Sequence, residues 1–229
     1  MLFSKRSPRK RQYWGYLLAI FIALLILVIL QLPGYAWLHA AGPMNSGHEK
    51  LSCEDCHQSS AGTLRQQLQA NMRYLLGERK EMVAVGFRSV SNRDCIHCHK
   101  RPSDNHPVSR FLEPRFKKVR TALAPQNCNS CHREHQGRRV TSAIDICQHC
   151  HDELKVKHEK IEPTHQQLVQ DKRWPTCLGC HDFHGNHKMK LVTRLNALIS
   201  EKEVQAYFAG QSSPYSENKK YKALYGGQP

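Results

Sequence analysis

Apolar residues are concentrated in one run near the start of the chain. From Tyr13 to Leu32 there are twenty residues without a charge. At about 1.5 Å of rise per residue, a helix over this run is roughly 30 Å long, the thickness of a bilayer's hydrocarbon core. The residues before it include five basic and no acidic side chains, and aromatic residues lie at both of its ends, as at membrane interfaces. The pattern predicts a basic cytoplasmic segment over 1–12 and a transmembrane anchor over 13–32.

A cleaved signal peptide is the alternative interpretation of the same run. Residues 34–36, Gly-Tyr-Ala, have small residues where a signal peptidase would require them. The apolar region of a signal peptide is, however, usually about 7–15 residues long. We therefore expect a retained single-pass anchor that ends at Pro33 and Gly34, followed by a linker over 33–47. In bacteria this orientation places all later residues in the periplasm, tethered to the inner (cytoplasmic) membrane.

Beyond the anchor, one stretch has clear helical periodicity. We expect a helix over 63–76 that ends at Gly77, with Met72 packed in a core. The apolar residues that recur at helical spacing are Leu64, Leu68, Met72 and Leu75.

The C-terminal part of the chain changes character after a second apolar stripe. The stripe predicts an amphipathic helix over 191–209, starting as early as Lys188. Residues 210–229 lack periodicity and predict a polar tail that is disordered unless a partner orders it. Little of the chain favours strands, so the expected fold class is mainly α with extensive irregular loops.

All ten cysteines belong to five copies of one pattern, Cys-x-x-Cys-His. Two thiols three positions apart in a helical turn reach the two vinyl groups of one porphyrin as thioethers. The His that follows lies beneath the iron and binds it. This spacing is the signature of covalent c-type haem attachment, so we expect five haem c groups. From the first motif to the fifth, the attachment cysteines and proximal histidines are Cys53, Cys56 and His57; Cys95, Cys98 and His99; Cys128, Cys131 and His132; Cys147, Cys150 and His151; and Cys177, Cys180 and His181.

Zinc sites and disulfides explain the motifs less well. Zinc ribbons use Cys-x-x-Cys units in twos, which leaves one of five without a partner and does not require a His after each unit. A disulfide framework suits an exported chain but would not place a His after every second cysteine.

Five haems would also compensate for the small number of apolar side chains outside the anchor. Outside the anchor the sequence is polar and poor in aromatic residues, so a core made by the polypeptide alone would be small. All five motifs lie within 48–190, which predicts a haem-packed pentahaem cytochrome domain behind the transmembrane helix. The helix over 191–209 would then pack over the last haem or, alternatively, contact a partner subunit.

The formal charge of +15 has two expected causes. Lys and Arg would pair with haem propionates, and the remaining charge would suit an acidic redox partner or an anionic membrane. We expect no nucleic acid as a partner, because no recognition motif accompanies the charge.

The distal ligands have more candidates than places. Fifteen histidines are present, of which His39 lies near the membrane exit and His97 and His149 lie inside motif loops. His135 and His184 each follow a proximal histidine by three residues. One helical turn holds them on the same side as that ligand, so each would serve an adjacent haem. The ranked candidates are His48, His106, His135, His158 and His184, then His165 and His187.

Methionine is the alternative distal ligand, and it would raise the potential of its haem relative to a second imidazole. We expect mostly low-spin, low-potential haems with two histidine ligands, and a methionine at one site at most. The methionines available are Met44, Met72, Met82 and Met189.

The motifs, the His-rich linkers and the haem density over 48–190 resemble the class III multihaem cytochromes. One anchor followed by a small multihaem domain is similar to the quinol-dehydrogenase cytochromes that feed periplasmic reductases. Those proteins typically have a Met shortly after the first haem motif, whereas His57 is followed here by Gln-Ser-Ser. The departure counts against direct quinol oxidation by this chain.

The function we expect is electron relay between a membrane donor, which is quinol or a membrane protein, and a periplasmic redox protein. The chain would then be an electron-transfer protein without catalytic residues. Two alternatives stay open: a multihaem reductase or oxidase with one open haem site, and a wiring subunit of a larger membrane redox complex. An enzyme would need an open iron position for its substrate.

Overall fold

The computed structural model of the chain describes residues 8–32, 35, 38, 40–190 and 192–224. They belong to two units, Met1–Pro43 and Met44–Pro229. The predicted helix end at Pro33 and Gly34, the histidine His39 and the last five residues of the tail lie outside the described residues.

The first unit contains one long helix, α1, Pro8–Gln31. Its segment Arg9–Leu30 is long and apolar enough to cross a membrane, and its side chains are not buried in the protein. A proline suits the first position of a helix because its missing N–H would have no partner there. By length and composition α1 agrees with the predicted anchor, and a signal sequence would agree equally well.

The second unit consists of short helices joined by long irregular segments. Short 3₁₀ turns at Arg110–Leu112, Pro114–Phe116, Cys128–Ser130 and Leu195–Ala197 supplement them. Across the described residues, β pairing is limited to isolated bridges, which confirms the mainly helical fold class. The α-helices are α2, Cys53–Cys56; α3, Leu64–Leu75; α4, Asn92–Cys98; α5, Lys117–Leu123; α6, Gln148–His151; α7, His165–Gln170; α8, Thr176–Cys180; and α9, Glu201–Phe208.

Helix α3 confirms the predicted helix, but its apolar side faces outward and a polar side chain faces the protein. Thr63 caps its N-terminus, and Gly77 follows its end with a φ of 76°. Met72, which we expected in the core, is 56% exposed, while Gln67 is only 4% exposed. The cause is that Gln67 provides hydrogen bonds that the neighbouring loops need.

Helix α9 begins later than predicted. It starts at Glu201, where Ser200 and Glu203 form a capping box, and not at residue 191. The preceding residues are committed to other contacts, since the N–H of Ile199 donates to the carbonyl of Gly179 at 3.1 Å. The predicted helix is therefore wrong for the described residues before 201, which are 188–190 and 192–200.

The predicted disordered tail is also wrong for its described part, 210–224. The hydroxyl of Tyr215 donates to the carbonyl of Leu178 at 2.8 Å, and the N–H of Leu224 donates to the carbonyl of Cys98 at 3.0 Å. These contacts hold the segment against the haem motifs. Local polarity hid them because they are made mostly by the backbone and by tyrosines.

The buried core of the second unit is small and lies around α8 and α9. Leu178, Val204 and Phe208 form it, with Ile144 and Phe183 partly buried against it. This agrees with the prediction that the polypeptide alone supplies little apolar interior.

Candidate haem-binding sites

The five motifs share one local turn. In each of them the histidine N–H donates to the carbonyl of the first cysteine, at 2.8 to 3.0 Å. A helical turn of this kind projects both thiols and the imidazole from one side of the backbone, as thioether attachment under an iron ligand requires. All ten cysteines lie in the described part of the chain and none forms a disulfide.

Each motif histidine lies opposite a second histidine. The distances between ring centroids fall between 5.9 and 6.3 Å. The five pairs, in the order of the motifs, are His57 with His135 (6.3 Å), His99 with His48 (5.9 Å), His132 with His184 (6.0 Å), His151 with His106 (6.2 Å), and His181 with His165 (6.3 Å).

This spacing fits two imidazoles on opposite faces of one iron. A metal–imidazole bond is about 2 Å long, and the ring centre lies roughly 1.1 Å behind the bonded nitrogen, which gives a centroid separation of about 6.2 Å. Rings in flat stacked contact can lie closer, as those of His106 and Phe183 do at 4.2 Å. The gap has room for a flat macrocycle, and the cysteines beside it supply the attachment points. The residues present therefore fit haem c.

Four of the five pairs join distant parts of the chain. His135 follows the third motif but lies opposite His57 of the first, and His184 follows the fifth motif but lies opposite His132 of the third. In the pair that is nearest in sequence, His165 precedes the fifth motif and lies opposite His181. The segments around the motifs are thus interlocked, and each pair closes a loop.

Two of the ranked candidates lie apart from the pairs. His187 is 8% exposed, donates from Nδ1 to Asp182 at 2.9 Å, and lies 5.2 Å from the ring of Tyr215. His158 is exposed in the loop after the fourth motif. Among the described residues, no group of three or more His, Cys, Asp or Glu side chains converges as the ligands of a free metal ion would.

Three of the second histidines in these pairs donate to carboxylates, which the sequence pattern did not predict. Nδ1 of His48 donates to Glu134 at 2.6 Å, Nδ1 of His184 to Asp104 at 2.9 Å, and Nδ1 of His165 to Glu159 at 3.0 Å. The bond to Glu134 raises the pKa of His48. Each acid lies within two residues of some histidine, but only Glu159 is near its own partner in the sequence, six residues before His165. Sequence spacing therefore could not identify these acids.

Backbone carbonyls hold two other rings. Nδ1 of His106 donates to the carbonyl of Phe183 at 2.6 Å, and Nδ1 of His132 donates to that of Arg139 at 2.8 Å. Burial lowers the pKa of both histidines. They are therefore neutral at pH 7, with Nε2 free to bind a metal.

In two pairs of motifs, the thiols of the first cysteines shift each other's pKa. A hydrogen bond between the thiols raises the pKa of Cys95 and lowers that of Cys128. A second one raises the pKa of Cys147 and lowers that of Cys177. The second and third motifs are also joined by a hydrogen bond from the N–H of Cys128 to the side-chain oxygen of Asn92 in α4, at 2.9 Å.

A family model described as Cytochrome c3 matches residues 45–152. The match supports electron transfer by a multihaem c-type cytochrome. It includes the first four motifs and less than half of the chain, and the fifth motif lies outside it. No curated protein and no solved structure gave a significant match to the chain.

Proposed function

We propose that the chain is a membrane-anchored pentahaem cytochrome c that relays electrons between a donor in the inner membrane and a periplasmic redox protein. The observation that carries the proposal is the pairing of each motif histidine with one further histidine at about 6 Å. Each pair lies beside one Cys-x-x-Cys unit, and the five units together contain every cysteine of the chain.

The pairs support a specific set of distal ligands. We number the haems by their motifs, so that haem 1 is bound by Cys53 and Cys56 and haem 5 by Cys177 and Cys180. The distal ligands of haems 1 to 5 are then His135, His48, His184, His106 and His165. His158 and His187 have no place in this set, and neither do the four methionines.

Bound haem supplies the one-electron chemistry of its iron. The chain's own residues attach the ring through thioethers, fix both imidazoles and exclude a substrate from the sixth position. The N–H of Cys128 donates to the side-chain oxygen of Asn92 in α4 at 2.9 Å, which would hold the second and third haem sites near each other, and electron transfer along the chain needs such proximity.

An enzyme is the less favoured function for this geometry. A reductase or oxidase needs an iron with an open position, whereas each of the five proximal rings lies opposite a second imidazole. Electron relay requires only six-coordinate haems. A wiring subunit of a larger complex would use the same haems and differ only in the permanence of its partners.

Helix α1 supports the proposed anchor and location. Its apolar segment, Arg9–Leu30, favours a single span, and cytochrome c3 domains are typically periplasmic. Extraction of membranes at alkaline pH should leave the haem protein in the membrane pellet with its N-terminus intact. A soluble haem protein that begins after residue 36 would show a cleaved signal peptide instead.

Carbon monoxide binding tests the relay against the enzyme. The reduced, native full-length protein in detergent should show no carbon monoxide spectrum, because every iron has two histidine ligands. A substantial carbon monoxide spectrum in the native protein would show an open site and contradict the assignment.

Two histidines three positions apart provide a matched pair of variants. His184→Ala removes the distal ligand of haem 3 and should create carbon monoxide binding at one of the five haems. His187→Ala should create none, although His187 also bonds to a carboxylate. Equal behaviour of the two variants would overturn the ligand assignment.

A further inference from the structure

The histidine pair of the fourth motif differs from the others in its ring angle. The planes of His106 and His151 cross at 88°, close to perpendicular. The angles of the other four pairs lie between 24° and 48°. In low-spin ferric haems, the angle between the two imidazole planes determines the anisotropy of the iron's electronic ground state.

The orientation of His106 is fixed by two contacts with one residue. Its ring stacks on Phe183, with centroids 4.2 Å apart and planes at 15°, and its Nδ1 donates to the carbonyl of Phe183 at 2.6 Å. A flat contact and a hydrogen bond together leave the ring little freedom to rotate. Phe183 is therefore a positioning residue for the fourth site.

The same pair also differs in the group behind its distal ring. The distal rings of the second, third and fifth sites donate to carboxylates, whereas that of His106 donates to a neutral carbonyl. Asp104 lies near His106 but accepts from its backbone N–H at 2.8 Å, not from its ring. A charge-assisted hydrogen bond is roughly twice as strong as a neutral one.

A carboxylate at Nδ1 acts on the iron through the imidazole. It draws the Nδ1 proton away, which makes Nε2 a stronger electron donor, and its negative charge favours ferric over ferrous iron. The effect should be largest where solvent screens least. Asp104 has a side chain only 9% exposed, compared with 32% for Glu134 and 25% for Glu159.

We propose that Glu134, Asp104 and Glu159 lower the reduction potentials of haems 2, 3 and 5, and that the carbonyl of Phe183 leaves haem 4 with a higher potential than these three. The inference rests on the proposed function, because it uses the ligand pairs. When the donor delivers one electron to these four haems, the electron resides mainly at haem 4, where one ferric iron becomes ferrous. The fourth site is then the electron reservoir of this group.

The perpendicular pair makes the inference testable without any variant. Near-perpendicular imidazole planes give a low-spin EPR signal with one very large g value, whereas more nearly parallel planes give rhombic signals. In a potentiometric titration of the full-length protein followed by EPR, the large-g signal should disappear at a higher potential than the rhombic signals of haems 2, 3 and 5. Its disappearance at a lower potential would overturn the proposal.

Two acids near His48 distinguish the effect of a hydrogen bond on the potential from the effect of a nearby charge. Glu134→Gln removes the carboxylate behind His48, and Glu49→Gln removes the carboxylate of the next residue, which accepts from the N–H of Gly47 at 2.9 Å instead. Glu134→Gln should raise the reduction potential of haem 2 by about 59 mV, which corresponds to about a tenfold change in the ferric-to-ferrous ratio for one electron. Glu49→Gln should shift it by a small fraction of that, and equal shifts would contradict the role of Glu134.

Phe183→Leu tests the positioning of the distal ring. Without the stacked ring, His106 should turn away from the perpendicular, and the large-g signal should move toward smaller g values. An unchanged signal would show that Phe183 does not fix the angle.

Different results would contradict the bis-histidine relay and the order of potentials. High-spin signals or methionine ligation would contradict the proposed bis-histidine relay itself. Five low-spin signals with the large-g haem reduced last would leave the relay intact and remove only the order of potentials.

Discussion

Helices α3 and α9 carry similar apolar stripes and similar caps, yet they face the protein with opposite sides. In α9 the apolar side is inward, with Val204 fully buried and Phe208 8% exposed. In α3 the apolar side is outward and the polar Gln67 is inward. The outward stripe consists of Leu64, Leu68, Met72 and Leu75, whose exposed fractions lie between 54% and 72%.

The loops around α3 explain its orientation. Gln67 donates to the carbonyl of Gly62 at 3.0 Å and accepts from the N–H of Gly86 at 2.9 Å. One turn later, Asn71 exchanges two hydrogen bonds with the backbone of Val83, at 2.7 and 2.9 Å. Backbone groups in these irregular loops need partners, and the amides of α3 supply them. Periodicity therefore predicts that a helix forms, but not which of its sides meets the polypeptide.

The largest expected difference between the two helices comes from a buried charge. Val204→Asp should lower the free energy of unfolding by about 4 kcal/mol or more, because the carboxylate has no partner in the core. Leu68→Asp should change it by about 0.5 kcal/mol or less. Denaturant titration of the two haem-loaded variants checks this, and a large loss for Leu68→Asp would show that a haem or another group covers the α3 stripe.

A glycine inside the fifth motif should be the next most sensitive position. A Cβ at Gly179 would clash with the carbonyl oxygen of Ile199, so Gly179→Ala forces α8 away from the segment that precedes α9. We expect a loss of about 2 kcal/mol in unfolding free energy. The control is His149→Ala, at the same position of the fourth motif and exposed. Equal denaturation midpoints for both variants would contradict the close packing.

The buried side-chain amide of Gln67 in α3 should stabilise the neighbouring loop around Gly86. Gln67→Leu removes the acceptor for the N–H of Gly86 and should increase the hydrogen-exchange rate of that amide by roughly tenfold, which corresponds to a bond worth about 1.4 kcal/mol. Gln69→Leu changes an exposed side chain of the same helix and should leave the rate unaltered. If both variants exchanged alike, the inward role of Gln67 would be wrong.

The smallest expected effects are those of the caps, which should be the same in both helices. Thr63 accepts from the N–H of Gln66 at 3.4 Å, and Ser200 accepts from that of Glu203 at 3.3 Å. Thr63→Ala and Ser200→Ala should each cost about 1 kcal/mol of local helix stability, measured by amide exchange in the first turn. A much larger loss at either cap would show that the cap supports tertiary packing as well.

The local features of this chain were predictable and the long-range ones were not. A haem motif is complete within five residues, and Thr63 with Gly77 delimits α3 unaided. The partners of the proximal histidines lie on other segments, so sequence spacing could only rank the candidates. The ranking contained all five observed partners, but it placed His158, which belongs to no pair, above His165. The acids behind the distal rings, Glu134 among them, depend on the same long-range folding.

The start of α9 shows a second limit of periodicity. The stripe before residue 201 has helical spacing, but the N–H of Ile199 is bonded to Gly179 and Ser200 provides a cap. The tail was mispredicted for a related reason, because composition does not report the backbone contacts that a polar segment makes.

Quantification of low-spin ferric haem by EPR, against the haem content per chain, tests the central claim most directly. We predict five haems per polypeptide in the full-length protein, all of them low-spin with two histidine ligands and one of them with a large-g signal. Fewer than five haems, a high-spin fraction equal to one haem, or a methionine-ligated signal would contradict it.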